Sequence, residues 1–328
     1  MTTTASQNSG DEPSAGLCSQ LSAERGLPLI GSAGCYDSIL AFELDAPWTS
    51  RLVGSRASDA RLDAAMDRIG TGARGVRLLA LEPREPLQGQ APRELVRVLH
   101  LANAGGSFGA FSRREYDVRR DDLAAALERL SVGDPAEAEE VPCPAGLRDI
   151  LVCTHGARDA CCGKFGYRLF LEVAALAAAA GPDAVPLRVW RSSHLGGHRF
   201  APTMLDLPSG RMFGRMAHGD AATVLGGGAL LLERLSSIYR GRCALPEGAQ
   251  IVERELWARM GEVFESAVLR WQVDAADTGW SVRVDAECPG LPARSMTAQV
   301  IRAQVDAVRT PASCGRDPES EAPWRIVG

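Results

Sequence analysis

Residues 147–163 read LRDILVCTHGARDACCG and residues 186–202 read PLRVWRSSHLGGHRFAP, and these two stretches decide the fold. The apolar run DILVC has the length of a buried strand, a Gly-containing loop follows, and KFGYRLFLEVAALAAAA reads as a long Ala-rich helix stopped by Gly181-Pro182. PLRVWRSS is a second strand and HLGGHRFAP a second loop. TMLDL and RMFGRM then form a hairpin about the turn Pro208-Ser209-Gly210, and DAATVLGG a short helix closed by glycines.

The order is β-α-β-β-β-α. A strand, a helix and another strand make a right-handed crossover with parallel strands, and the hairpin adds antiparallel strands beside them. That is the element order of a thioredoxin-like fold, although periodicity alone admits other three-layer α/β sheets. Upstream, SILAFEL, SDARLDAAMDRIG, GVRLLALE, LVRVLHLA, FGAFSRREYDV and DDLAAALERL repeat the same order, which suggests a degenerate internal duplication.

These readings give an α/β chain: a tail at 1–16, an N-terminal α/β domain at 17–135, a thioredoxin-like domain at 147–230 and a small α+β module at 231–328. VGDPAEAEEVPCPAG, at about 132–146, reads as an acidic, Pro-rich linker. The first 16 residues have neither a basic start nor an apolar run, so they read as disordered rather than as a signal peptide. In the last module, AVLRWQVDA and WSVRVDAE alternate like a half-exposed sheet and offer no evident chemistry.

The 328 residues carry 45% hydrophobic and 23% charged side chains, the balance of a globular protein with chain enough for more than one core. The apolar stretches are too short or too charged to span a bilayer, so the expectation is no membrane and a cytoplasmic location. A net charge of −5 argues against a nucleic-acid binder, which needs a basic face. Nine cysteines, an odd and irregular set, do not resemble a disulfide framework. Cys18, Cys35, Cys143, Cys243, Cys288 and Cys314 each stand apart from other ligand types and read as small buried hydrophobes, like His100 and His218 in having a structural role.

Chemistry points to two loops. Cys153, Cys161 and Cys162 lie between a strand end and a helix start, where side chains converge and free N–H groups favour thiolate and sulfide. The next strand ends in His194-Leu195-Gly196-Gly197-His198. Two glycines make a helix costly there, by about 1 kcal/mol each relative to alanine, so this is a loop whose backbone can approach a cluster closely. A zinc-protease H-E-x-x-H helix is disfavoured, since Leu195 stands where that motif needs its glutamate. If the two strands are neighbours, two sulfurs and two imidazoles face one pocket. That set suits tetrahedral zinc or a [2Fe–2S] cluster, and spacing alone leaves both open.

CTHGARDACCG, HLGGHRFAPT and the N-terminal CSQLSAERGLPLIGSA together resemble the sucrase/ferredoxin-like family of thioredoxin-fold proteins, over most of residues 18–230. The resemblance implies a [2Fe–2S] cluster held by Cys153, Cys162, His194 and His198, with Gly163, Gly196 and Gly197 shaping its surroundings. No carbohydrate-cleaving carboxylate pair is apparent. Cys161 departs from the pattern, where the family usually has a basic residue, and so could compete as a ligand or serve redox chemistry of its own. His155 could orient a ligand or hydrogen-bond a sulfide. Arg158, Arg191 and Arg199 could attract an acidic redox partner, a reductase or acceptor, and Pro202 stands where such folds carry a cis-proline.

Two ferric ions, two sulfides, two thiolates and two neutral imidazoles sum to zero, so an electron enters more easily than at a four-cysteine site, toward the range of roughly −150 to +300 mV. The second imidazole nitrogens would couple electron uptake to proton uptake. The competing readings are a thiol oxidoreductase using Cys161-Cys162 or Cys153, and a structural Cys₂His₂ zinc module.

Overall fold

The structure, a computed structural model, describes residues 16–72, 75–83, 94–103, 111–135, 137–181, 184–276 and 278–327. The expected tail, Gly16 excepted, lies outside the described residues, as does Pro182.

The chain opens with α1 (Cys18–Glu24), a helix not read from the sequence. There follow β1 (Ser38–Glu43), α2 (Ala60–Gly72), β2 (Val76–Leu81), β3 (Leu95–Asn103), β4 (Phe111–Arg119), α3 (Leu123–Ser131) and the two-residue β5 (Glu139–Glu140). The second half is β6 (Arg148–Cys153), α4 (Ala160–Ala179), β7 (Leu187–Ser192), β8 (Met204–Leu207), β9 (Arg211–Phe213) and α5 (Asp220–Gly226). Then come α6 (Gly228–Ile238), β10 (Tyr239–Arg242) and α7 (Glu247–Met260). The strands β11 (Val268–Ala276), β12 (Gly279–Glu287), β13 (Arg294–Arg302), β14 (Val308–Pro311), β15 (Pro318–Glu321) and β16 (Trp324–Val327) end the chain.

One mixed sheet of ten strands runs β10-β9-β8-β6-β7-β2-β1-β3-β4-β5. Within it the halves share one strand order, β2-β1-β3-β4 and β7-β6-β8-β9. In each, the first pair is parallel and the others antiparallel. The halves join at β2 and β7, where the ladder is a single antiparallel pair, Leu81 with Ser192. β10 lies beyond residue 230 and still belongs to this sheet, against β9.

Alternation along the strands shows how the sheet is packed. Ile39 and Ala41 of β1, with Leu79, Leu81, Leu99 and Leu101, join Leu151, Cys153, Trp190, Leu205 and Leu207 of the second half in one buried cluster. The other face of β1, Leu40 and Phe42, meets Leu62, Met66 and Leu127 from α2 and α3. The other face of β6, Ile150 and Val152, meets Leu169 and Val173 of α4. The two halves therefore pack face to face with helices outside, which explains why ILAF and DILVC are apolar on both faces.

A charged group closes the polar end of this shared interior. Glu115 and Asp149 are buried, and Arg188 donates to both, at 2.6 Å to Glu115 and 2.8 Å to Asp149. Arg113 also pairs with both. In the tail, β11-β12-β13-β16 form a second sheet whose Val282, Val284 and Val300 pack with Leu256 and Trp257 of α7. β14 and β15 pair as a separate two-stranded unit.

Candidate metal centre

The register of β6 and β7 sets Cys153 opposite Ser192, so the two motif loops leave the sheet side by side, at the same end. α4 starts at Ala160, four residues before the run KFGYRL, because the Asp159 carboxylate caps it by accepting from the Cys161 N–H at 2.9 Å. Cys161 and Cys162 consequently sit in the first turn of α4 rather than in the preceding loop. Gly166 lets the helix press against the strand end: a Cβ there would stand 1.8 Å from the Cys153 carbonyl oxygen. Gly163 lies one turn earlier, against Gly156.

Cys153 and Cys162 are both 1% exposed. The Nδ1 of His194 is 3.9 Å from the Cys153 sulfur and 3.8 Å from that of Cys162. Those three donors lie within 4.8 Å of one another and could hold a metal ion. His198 stands just outside them, with its Nδ1 3.3 Å from His194 Nε2 and the two rings 4.9 Å apart between centroids. Burial opposes charge on Cys153, but hydrogen bonds from Cys162 and His194 outweigh it and hold the thiol well below its usual range. The hydrogen bond to Cys153, with burial, raises Cys162 in turn. Burial lowers both His155 and His198, favouring neutral rings.

The loop is held from several sides. His155, buried beside Trp48, has its Nε2 2.8 Å from the Thr49 carbonyl, to which it must donate. Its bare Nδ1 accepts the His194 backbone N–H at 3.2 Å. Gly196 and Gly197 adopt left-handed backbone, with φ of 88° and 68°, and a Cβ on Gly197 would meet the Arg240 guanidinium at 2.3 Å. Arg240 is 1% exposed and donates to the Gly196 carbonyl at 3.0 Å and to the Ser32 carbonyl at 2.6 Å. Arg77 donates to the His194 carbonyl. Neither arginine carries a local sequence signal. The Ala201-Pro202 peptide is cis.

Of the expected arginines, Arg158 is exposed, whereas Arg191 pairs with Glu82 and Arg199 with Glu321. Arg158 lines a cleft with Arg51, Arg77, His155 and His194. His218 is exposed and contacts Glu172, at 3.0 Å.

Two of the supposed isolated hydrophobes are something else. Cys18, at the start of α1, and Cys314, in the loop joining β14 and β15, meet Cys161: Cys18–Cys161 3.6 Å, Cys161–Cys314 3.3 Å and Cys18–Cys314 3.6 Å between sulfurs. The C-terminal module thus contributes a sulfur to a group of potential metal donors, where the sequence offered no chemistry. Chain separations of 143 and 153 residues hid this meeting. Cys35 and Cys143 are exposed rather than buried, and Cys243 is buried as expected.

No described helix is long and apolar enough to cross a membrane. No curated protein and no solved structure matches the chain. Residues 29–270, most of its length, match the model of one family, and both motif loops lie inside that span. The chain belongs to the sucrase/ferredoxin-like (Suc_Fer-like) family.

Proposed function

We propose that this protein is a single-electron carrier holding a [2Fe–2S] cluster through Cys153, Cys162, His194 and His198 on a thioredoxin-like fold. The observation that carries the reading is the meeting of two buried sulfurs with His194, and of His194 with His198, across two adjacent loops. The donors fit the group. Two sulfurs and two imidazoles are a donor set for a [2Fe–2S] cluster with one iron on each pair, as they are for tetrahedral zinc, and membership of the sucrase/ferredoxin-like family favours the cluster.

The cluster, when bound, supplies one-electron redox chemistry. The chain supplies the rest. Cys153 is predisposed to bind as thiolate. The backbone N–H of His194 donates to His155 Nδ1, which fixes the loop from which the His194 ring projects toward the sulfurs. Buried Arg240 places a cation near both sulfurs and offsets negative charge there. The imidazoles each keep a second nitrogen able to hold or release a proton, which would make the transfer proton-coupled.

The cleft of Arg51, Arg77 and Arg158 beside His155 and His194 favours an acidic protein partner, a reductase or acceptor. Free thiols in such number suit a reducing cytoplasm. The test is anaerobic purification with iron, sulfide and zinc analysis. Two irons and two sulfides per chain, with a visible chromophore bleached by dithionite, are expected. A colourless protein with one zinc at these four residues, and no iron uptake on reconstitution, overturns the reading in favour of a Cys₂His₂ zinc module.

A further inference from the structure

A second group of sulfurs is built from parts of the chain that share no motif. Cys18 and Cys161 are fully buried, and Cys314 half-buried. Their three sulfurs and the Asp159 carboxylate all lie within 4.8 Å of one another. Tetrahedral donors about a zinc-sized ion stand about 3.8 Å apart for two sulfurs at metal–sulfur bonds of about 2.3 Å, and slightly less for sulfur and oxygen. The sulfurs here are 3.3 to 3.6 Å apart. Asp159 Oδ1 lies 3.3 Å from the Cys314 sulfur and 3.8 Å from that of Cys18.

The surroundings match a bound ion. Asp159 Oδ2 is anchored by the Ser313 hydroxyl at 2.8 Å and the Cys314 N–H at 3.0 Å, while Oδ1 accepts the Cys161 N–H at 2.9 Å and faces the sulfurs of Cys18 and Cys314 with its remaining lone pair. The Cys18 N–H points at the Cys314 sulfur, at 3.5 Å, and both the N–H and the hydroxyl of Ser19 hydrogen-bond Cys161. Such donors around thiolates are what orients and supports metal ligands. Asp159 is 5% exposed, and among the described residues its only basic neighbour within ion-pair distance is His198, at 3.9 Å. A buried carboxylate among three thiols calls for a cation.

We propose that Cys18, Cys161, Cys314 and Asp159 form a second metal site, separate from the Cys/His group, for one tetrahedral ion of the zinc class. The site takes soft thiolate ligands and a single ion, because all four donors surround one point. Binding turns the remaining thiols into thiolates and passes their protons to solvent. It also staples three distant segments: α1, the start of α4 and the β14–β15 loop. The inference does not rest on the electron-carrier reading.

Cobalt titration of the metal-stripped whole chain tests it, in a Cys153→Ser/Cys162→Ser background that removes both sulfurs of the other group. One equivalent of cobalt with sulfur-to-metal absorption is expected, falling by about one third on adding Cys18→Ser or Cys314→Ser. No bound cobalt, or absorption unchanged by those two substitutions, overturns the proposal. Because the variants could fail to fold, alkylation of Cys314 in the unsubstituted chain, read by peptide mass, is the second arm. Zinc should slow it about tenfold, since only the free thiolate reacts. Equal rates with and without zinc, or a disulfide among the three cysteines in freshly reduced protein, overturn it.

Discussion

Cys161 and Cys162 are adjacent in the chain, yet their sulfurs belong to different groups: Cys162 meets Cys153 and His194, Cys161 meets Cys18 and Cys314. The first turn of α4 therefore serves both. The choice of Cys162 over Cys161 as partner of Cys153 becomes a direct test. Cys162→Ser should abolish the iron and sulfide content and the visible chromophore, whereas Cys161→Ser should retain both. Iron, sulfide and absorption measured on the two variants decide it, and a reversed pattern would reassign the ligands.

Arg240→Met removes a buried donor and leaves the Ser32 and Gly196 carbonyls without it. The two carbonyls are part-buried, so a loss of about 1–3 kcal/mol is expected by urea unfolding. The loop carrying His194 and His198 should loosen as well, lowering cluster content. An unchanged midpoint would show that water replaces the guanidinium.

Glu115 gives the fold an acid limit. Burial alone would raise its carboxyl, but Arg188 first, then Arg113, hold it at about 2. A depressed carboxyl stabilises the fold above the unfolded value, near 4.3, and that contribution is lost as pH falls through the folded one. Stability should drop by about 2–3 kcal/mol between pH 5 and pH 2 from this group. In Glu115→Gln the same stretch of the stability curve should be flatter. A parallel curve for the variant would refute the assignment.

Gly166→Ala should separate α4 from β6. The new Cβ would fall on the Cys153 carbonyl, a backbone atom that cannot swing aside, and overpacking of this kind costs about 1–3 kcal/mol or more. Lower thermal stability and lower metal occupancy are expected together. Gly181→Ala, where a Cβ meets nothing within 4 Å, serves as control and should behave like the unsubstituted chain.

The elements around the Cys/His group were legible because their signals are local. DILVC and PLRVWRSS are short apolar runs ended by loops, and Gly196-Gly197 marks a backbone where a helix is costly, so His194 and His198 could be placed on a loop beside Cys153. The start of α4 was misread because Asp159, the cap, stands within a motif that looks like loop throughout. The packing of one half on the other had only an indirect sign, the two-faced apolarity of the strands. The Cys18–Cys161–Cys314 group had none, since contacts across 143 and 153 residues leave no pattern in a window of sequence.

All four Cys/His donors lie between residues 153 and 198, so a fragment beginning near residue 147 would carry every one of them. It would also lose the strands that cover Leu151, Cys153 and Trp190, turning that side of β6 and β7 to water. Possession of the ligands is thus not possession of the site: part of its shelter is encoded more than a hundred residues upstream, in Ile39 and Ala41, which are no ligands themselves.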